Sequence, residues 1–226
     1  LELQQLQLPL ELAKDSFIPD REQKSLEEIK AIKVGNKASA YGLGIAQSAL
    51  KASKVKKGRL YLDGAVLSSE RLRSMIEIAL FEKGAFATST IVAGGLQASD
   101  PHQIGHGPLM PNEMIIVDIF PKIKKSGYHG DMTRTFLKGK ASDIQKNLVS
   151  AVKEAQKRAI AKIKANVGAN TIHAEVISCF KQKGYITERK MGEDTFVGFI
   201  HSTGHGLGLD IHCLLYTSPS PRDFEA

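Results

Sequence analysis

Residues 113–136 read EMIIVDIFPKIKKSGYHGDMTRTF, and this stretch decides the fold. The apolar run that ends at Asp118 is typical of a strand, and the segment after Asp131 is typical of a second strand. A proline, a glycine and a lysine cluster lie between them and favour a hairpin turn. The sequence therefore predicts two antiparallel strands that bring both carboxylates side by side.

Two interpretations of this acidic pair stay open. A carboxylate that follows four apolar residues is expected to be partly buried, and a buried charge is costly unless it is paired or binds a metal. Two close carboxylates also repel each other unless they share a proton or a cation. In the alternative interpretation, Asp131 pairs with Arg134 and Asp118 caps a turn. The two aspartates alone do not decide between a metal site and these structural roles.

The remaining elements fall into separate groups of strands and helices. Leu26, Ile29 and Ile32 recur at helical spacing, with Asp20 as the predicted N-cap of that helix and Thr171 as the predicted N-cap of the last one. Because helices do not alternate regularly with strands, we expect the α+β class with an antiparallel sheet covered by helices. The predicted helices are 20–53, 68–84, 142–165 and 171–184, and the predicted strands are 59–68, 88–95, 113–121, 130–139 and one that begins at 195.

The composition is that of an ordinary globular protein, with 42% hydrophobic and 24% charged residues among 226. The net charge of +7 (31 − 24) comes largely from lysines spread along helix-like segments, which is typical of solvated helix faces. No apolar run approaches the ~20 residues that a membrane helix needs. Cys179 and Cys213 are too few for a disulfide framework. We therefore expect no nucleic-acid partner, no membrane span and a cytoplasmic location.

Residues 201–212, HSTGHGLGLDIH, place His201, His205 and His212 among glycines. The glycines argue against a helix and allow the backbone to approach a ligand closely. One imidazole beside two carboxylates offers mixed nitrogen and oxygen donors, which suit Mn, Co, Fe or Zn better than Mg or Ca. A histidine that is not a ligand can donate a hydrogen bond to a developing oxyanion. For His129 and His173, a packed or surface side chain is the simpler interpretation.

A further histidine lies in the segment DPHQIGHGPL, residues 100–109. His102 follows a proline in a turn after the strand predicted at 88–95, and His106 is a neighbouring competitor for the same role. His102 would reach the cavity of the aspartates if the strands pair with each other. Taken alone, this signal is weak.

Together these segments resemble the pita-bread metallopeptidases, the superfamily of aminopeptidase P, prolidase and methionine aminopeptidase. The resemblance runs from about Arg21 to His212 and rests on REQKSLEEIKAIK, IVAGG with DPH, IIVDIFP, GYHGDMTRTF and HSTGHGLGLDIH. A histidine four residues before His205 is similar to aminopeptidase P and prolidase, so the Xaa-Pro branch is favoured. The sequence DIFP, where many relatives have Asp-x-Gly, and the longer turn before Asp131 depart from the pattern and leave the substrate preference open.

The resemblance implies a role for each of the candidate residues. Asp118 would chelate one of two divalent metal ions, Asp131 would bridge both, and His205 would bind the second. The substrate side would be lined by three more histidines, namely His102, His201 and His212. The implied reaction is the hydrolysis of an N-terminal peptide bond by a metal-activated water, with a peptide as the substrate. The motifs do not decide the oligomeric state, and a homodimer is the alternative to a monomer that we keep.

In the family, two glutamates beyond the histidine motif complete the metal site, and no counterpart lies in the 14 residues that follow His212 (226 − 212). We therefore expect 1–19 to finish a linker or preceding domain, 20–212 to be a truncated pita-bread domain without its C-terminal strands, and 213–226 to be a non-native tail. This chain as written would hold metal weakly or as a single ion and would be inactive or nearly so.

Two rival functions remain. One is a non-catalytic pita-bread module that binds peptides or nucleic acid, although such relatives lose the metal ligands that are present here. The other is a metal-free hydrolase of the creatinase type, which uses histidine as acid and base and would not need Asp118 and Asp131 together. Metal content and sensitivity to chelation separate the three.

Overall fold

The computed structural model describes residues 18–187, 198–199 and 201–213. The predictions made for 1–17, for the tail from 214 onward, and for most of the strand expected to begin at 195 lie outside these residues. Within the described part of the chain, no helix combines the length and the apolar character needed to cross a bilayer.

Four α-helices, two short 3₁₀ helices and eight strands make up the described structure. The helices are α1 Leu26–Ala52, α2 Ser69–Glu82, α3 Asp143–Lys162 and α4 Ala169–Gln182. The strands are β1 Lys54–Lys56, β2 Arg59–Leu62, β3 Ala65–Val66, β4 Ala85–Phe86, β5 Ile91–Gly94, β6 Met114–Ile119, β7 Lys122–Ile123 and β8 Met132–Leu137.

The strands form three small antiparallel sheets within the described residues, with the orders β1-β2-β3, β4-β7 and β5-β6-β8. The third sheet contains the predicted hairpin, because β6 and β8 pair along their whole length. Part of the turn between them forms β7, which pairs with β4. The antiparallel α+β class predicted from the sequence is therefore confirmed.

The helix starts correct two of the predicted caps. Helix α1 begins after Ser25, whose hydroxyl accepts from the Glu28 N–H while the Glu28 carboxylate accepts from the Ser25 N–H. This reciprocal pair satisfies two otherwise unpaired donors, whereas Asp20 lies in a separate 3₁₀ turn. Helix α4 begins one turn earlier than predicted, with Gly168 as its N-cap, so Thr171 lies inside the first turn.

The main core lies between the sheet of β5, β6 and β8 and the helices α1 and α2. Along β6, Ile115, Val117 and Ile119 alternate with less buried residues and are fully buried in this core. Asp118 therefore points to the opposite, more open face, since successive side chains of a strand alternate. The spacing of Leu26, Ile29 and Ile32 predicted a helix, which α1 confirms, although Leu26 and Ile29 are themselves exposed by 73% and 38%.

Helices α3 and α4 form a hairpin with a core of its own. Ala155 and Ala159, four residues apart on one face of α3, are buried there and pack with Cys179 and Phe180. Ile163, four residues after Ala159, lies outside this core, because α3 ends at Lys162 and Ile163 is 63% exposed.

Candidate active site

The register of the hairpin places the two aspartates on one face of the sheet. The Cα atom of Asp118 pairs with that of Thr133 on β8, and Asp131 lies two residues before Thr133. Residues two apart on a strand share a face, so Asp131 is the diagonal neighbour of Asp118. The predicted side-by-side carboxylates follow directly from this pairing.

Asp118 is an acidic side chain in a partly buried position. Burial raises its pKa above the ordinary value, the hydrogen bond donated by the Thr133 hydroxyl lowers it, and the nearby Asp131 carboxylate raises it again. The net direction is upward. Asp118 thus carries its negative charge at a cost, and a neighbouring cation would remove that cost.

Asp131 contacts His205, a residue from a distant part of the chain. The Asp131 Oδ2 atom lies 3.1 Å from His205 Nε2, and the two side chains are 21% and 35% exposed. The other ring nitrogen, Nδ1, lies 2.9 Å from the Gly206 carbonyl oxygen. Because that oxygen can only accept, Nδ1 carries a proton, and Nε2 is left to face the carboxylate. The hydrogen bond with Asp131 is the main cause of a raised pKa of His205.

Two more of the predicted histidines gather around this contact. The ring centroids of His205 and His212 lie 4.4 Å apart, and the two ring planes make an angle of 66°. Burial lowers the pKa of His212, and the positive charges of His205 and His102 lower it further. Asp118 and Asp131 are close enough to act on it in the opposite sense. Five of the six candidate residues therefore lie in one region.

The sixth candidate, His201, lies in a different cluster of the described residues. Its ring packs on Phe199 with 4.8 Å between the ring centroids, and its Nδ1 atom lies 2.9 Å from the Ser202 carbonyl oxygen. Phe199 also contacts Phe180 of α4 and His173. The predicted role of His201 on the substrate side stays a prediction.

The turn that carries His205 and His212 is irregular, as its glycines predicted. A bridge between Gly206 and Cys213 closes it, and the His129 N–H donates to the Gly208 carbonyl oxygen at 2.8 Å. That backbone bond ties the histidine turn to the segment that leads into Asp131. His129 is itself partly buried, which agrees with its interpretation as a packed side chain.

Sequence reasoning missed one group that holds Asp131 in place. The Asp131 N–H donates to Asn36 Oδ1 at 3.0 Å, and the preceding residue of α1, Gly35, touches Gly130 backbone to backbone. Glycine and asparagine are poor residues for a helix interior. Their occurrence in the middle of an otherwise strong helix was a usable signal of a special contact.

The donor set fits a divalent cation in its chemistry. Two carboxylates and an imidazole whose Nε2 faces one of them match the mixed oxygen and nitrogen ligation expected of Mn, Co, Fe or Zn. Among the described residues, however, no group of three His, Cys, Asp or Glu side chains already has metal-holding geometry. Asp118 and His205 are instead engaged with Thr133 and Asp131. The alternative pairing of Asp131 with Arg134 is not what this structure has, because Arg134 donates to the Thr133 carbonyl oxygen.

The chain belongs to metallopeptidase family M24, whose sequence profile matches residues 32–225. It is 32% identical over 132 residues to an Xaa-Pro dipeptidase from Pyrococcus furiosus. The aligned segment covers 58% of this chain and 34% of that protein. It is 27% identical over 195 residues to an Xaa-Pro dipeptidase from Pyrococcus horikoshii, which covers 85% of this chain and 49% of that protein. The chain thus spans between a third and a half of the length of these curated relatives.

The fold matches those of solved prolidases. A prolidase from Thermococcus sibiricus superposes with a TM-score of 0.72 at 29% identity, over 90% of this chain and 50% of the other. A prolidase from Pyrococcus furiosus superposes with a TM-score of 0.72 at 25% identity, over 87% of this chain and 52% of the other. The predicted pita-bread fold is confirmed.

Proposed function

We propose that the complete protein containing this chain is a metal-dependent aminopeptidase or dipeptidase that hydrolyses N-terminal Xaa-Pro peptide bonds. The observation that carries this proposal is the contact of Asp131 with His205, with Asp118 on the same sheet face. The family match and the similarity to Xaa-Pro dipeptidases support it. The expected partner is a peptide, with no nucleic acid or membrane involved. The expected location is the cytoplasm. For the oligomeric state, a homodimer is kept as an alternative to a monomer.

Three side chains are proposed to hold two divalent ions. Asp118 would bind one ion, Asp131 would bridge both, and His205 would bind the second through Nε2. When bound, such ions polarise a carbonyl and lower the pKa of a water molecule. The protein orients the ligands in advance, because the Thr133 hydroxyl fixes Asp118 and the Gly206 carbonyl fixes the His205 tautomer.

The histidines around this centre are proposed to act on the substrate side. His212 has a lowered pKa and is therefore neutral near pH 7. A neutral imidazole can donate one hydrogen bond, which suits it to a developing oxyanion or to the leaving nitrogen. His102 is exposed and close enough to His212 for their charges to interact, so it would line the same side of the substrate. His201 is proposed for the same side.

The activity is proposed for the complete protein and not for these 226 residues alone. Residues 20–212 would form the catalytic domain together with two further glutamate ligands supplied elsewhere. With three of five ligands, the 226-residue chain is proposed to hold metal weakly and to lack significant activity.

The test measures metal content and hydrolysis on the complete gene product. We expect bound Mn, Co, Fe or Zn, cleavage of an Xaa-Pro dipeptide in preference to the matched Xaa-Ala dipeptide, and loss of activity on chelation. Asp131→Asn should abolish cleavage, whereas Asp143→Asn, which removes an exposed carboxylate of α3, should not. A metal-free protein that binds peptide without cleaving it would favour the binding module, and activity that survives chelation would favour a metal-free hydrolase.

A further inference from the structure

The loop that carries His102 is held at its far end by helix α2. It runs from the end of β5 through a 3₁₀ helix, Gly95–Ser99, to Leu109. Within the described residues, His102 and Gln103 hydrogen-bond inside the loop, as when the His102 N–H donates to Asp100 Oδ1 at 2.8 Å. Hydrogen bonds from this part of the loop to the rest of the protein come from the residues that follow.

Arg73 joins this loop to the start of β5. Its Nε donates to the Thr90 carbonyl oxygen at 2.8 Å, and its Nη2 donates to the carbonyl oxygens of Ile104 and Gly105 at 2.5 and 2.6 Å. Hydrogen bonds from a charged donor are shorter and stronger than neutral ones. One planar guanidinium thus fixes the relative position of two backbone segments.

The loop backbone at Gly105 lies so close to β5 that no side chain fits between them. The Val92 N–H donates to the Ile104 carbonyl oxygen at 3.0 Å. Gly105 has a φ of +83°, and a Cβ atom there would lie 1.8 Å from the Val92 carbonyl oxygen. A second side chain of α2, Glu70, accepts from the Gly107 N–H at 2.9 Å. Arg73 and Glu70, two oppositely charged side chains of α2, therefore bind neighbouring backbone groups of the same loop.

We infer that Arg73 is a positioning residue for His102, acting through the loop that it attaches to β5 and α2. The inference rests on the proposed function, because it assumes that His102 faces the substrate. Arg73 itself touches three backbone carbonyls and would not contact the peptide. Its loss should release the loop and leave Asp118, Asp131 and His205 in place.

The chain supplies a matched control two residues away. Arg71 is also a partly buried arginine of α2, and its Nη1 also donates to three carbonyl oxygens. Those carbonyls belong to Leu62, Ala65 and Val66 of the β2–β3 hairpin. Arg71→Met therefore removes the same kind of interaction from the same helix without touching the His102 loop.

The first measurement is amide hydrogen exchange in the complete gene product carrying Arg73→Met or Arg71→Met. We expect exchange of the Val92 and Gly107 amides to rise about tenfold or more in Arg73→Met and to stay near the wild-type rate in Arg71→Met. Should Arg73→Met fail to fold, Arg73→Gln, which keeps an amide donor, replaces it. Equal exchange in the two arginine variants would overturn the inference.

The second measurement is a double-mutant cycle on hydrolysis of an Xaa-Pro dipeptide. We expect Arg73→Met to lower kcat about tenfold with metal affinity unchanged, and we expect little further loss when it is combined with His102→Ala, because the two changes disable one element. Independent, multiplicative losses would show that Arg73 does not act through His102 and would overturn the inference. If the wild-type protein cleaves no peptide, both the proposed function and the catalytic part of this inference are wrong. The exchange comparison still decides whether Arg73 holds the loop.

Discussion

At the scale of single residues, one carboxylate raises the pKa of two neighbouring groups for two different reasons. Asp131 raises the pKa of His205 mainly through their hydrogen bond, and it contributes to the raised pKa of Asp118 through like-charge repulsion. A group whose pKa is raised on folding stabilises the folded state fully below its unfolded pKa. The contribution of His205 is therefore present below about pH 6.5 and is lost as the pH rises through its higher folded value.

Asp131→Asn should therefore lower the pKa of both His205 and Asp118 in the metal-free protein. The imidazole loses its ionic partner, and the carboxylate loses its like-charged neighbour. Side-chain NMR titration of the two residues measures both shifts in one sample. Asp143→Asn, a charge removed from α3, should leave both titrations unchanged. A His205 titration that stays the same in Asp131→Asn would show that the contact does not form in solution.

At the scale of elements, the position of Asp131 depends on how closely α1 approaches the end of the hairpin. A Cβ atom on Gly35 would lie 2.5 Å from the Gly130 nitrogen and 2.6 Å from the His129 carbonyl atoms. These are backbone atoms that cannot rotate away. Gly35 thus allows a helix-to-strand contact in which Asn36 reaches the Asp131 N–H.

Gly35→Ala should destabilise the protein although alanine favours a helix. Forcing α1 away from Gly130 costs about 1–3 kcal/mol of unfolding free energy by analogy with overpacked cores, which outweighs the ~1 kcal/mol gained in helix propensity. Gly44→Ala is the matched control on the same helix, because a Cβ atom there meets nothing within 4 Å. It should stabilise by up to ~1 kcal/mol. Urea denaturation measures both, and two stabilised variants would contradict the close contact.

The contact of α2 with the His102 loop should weaken in acid. The Gly107 N–H is the main cause that lowers the pKa of Glu70 from 4.5 to about 2. Because the folded pKa is depressed, its contribution is present above about pH 4.5 and is lost as the pH falls toward 2. Glu70→Gln should therefore reduce the loss of stability across this window, measured by thermal unfolding from pH 5 to 2.5. Glu82→Gln, on the same helix, should leave it unchanged.

The sequence was sufficient where local pattern and packing agree. The hairpin, its turn and the placement of Asp118 and Asp131 on one sheet face all follow from an apolar strand interrupted by turn residues. Contacts between distant segments were not accessible in this way, because spacing says nothing about which helix approaches which strand. The approach of Gly35 to Gly130, the attachment of the His102 loop by Arg73, and the packing of His201 on Phe199 all belong to that second kind.

At the scale of the whole molecule, the candidate centre combines a hairpin that packs on the main core with a turn that lies outside that core. Asp118 and Asp131 belong to one hairpin, whereas His205 comes from an irregular turn 74 residues further along (205 − 131). Besides the Asp131–His205 contact, the attachments of that turn include the His129–Gly208 backbone bond and the ion pair of Arg21 with Asp210. A cation held by all three ligands would be a further cross-link between the turn and the sheet.

Metal should therefore stabilise the complete protein against unfolding. A ligand that binds only the folded state at one hundred times its Kd adds about 2.7 kcal/mol. That raises Tm by about 5–10 °C for a chain of roughly 150–250 residues and by less for a longer one. Differential scanning calorimetry of the complete gene product, with and without Mn²⁺ after chelation, measures the shift. Asp118→Asn and His205→Ala should each remove most of it, because each takes away a ligand from a different segment, whereas Asp143→Asn should keep it. A shift that survives in both ligand variants would place the stabilising metal somewhere other than this centre.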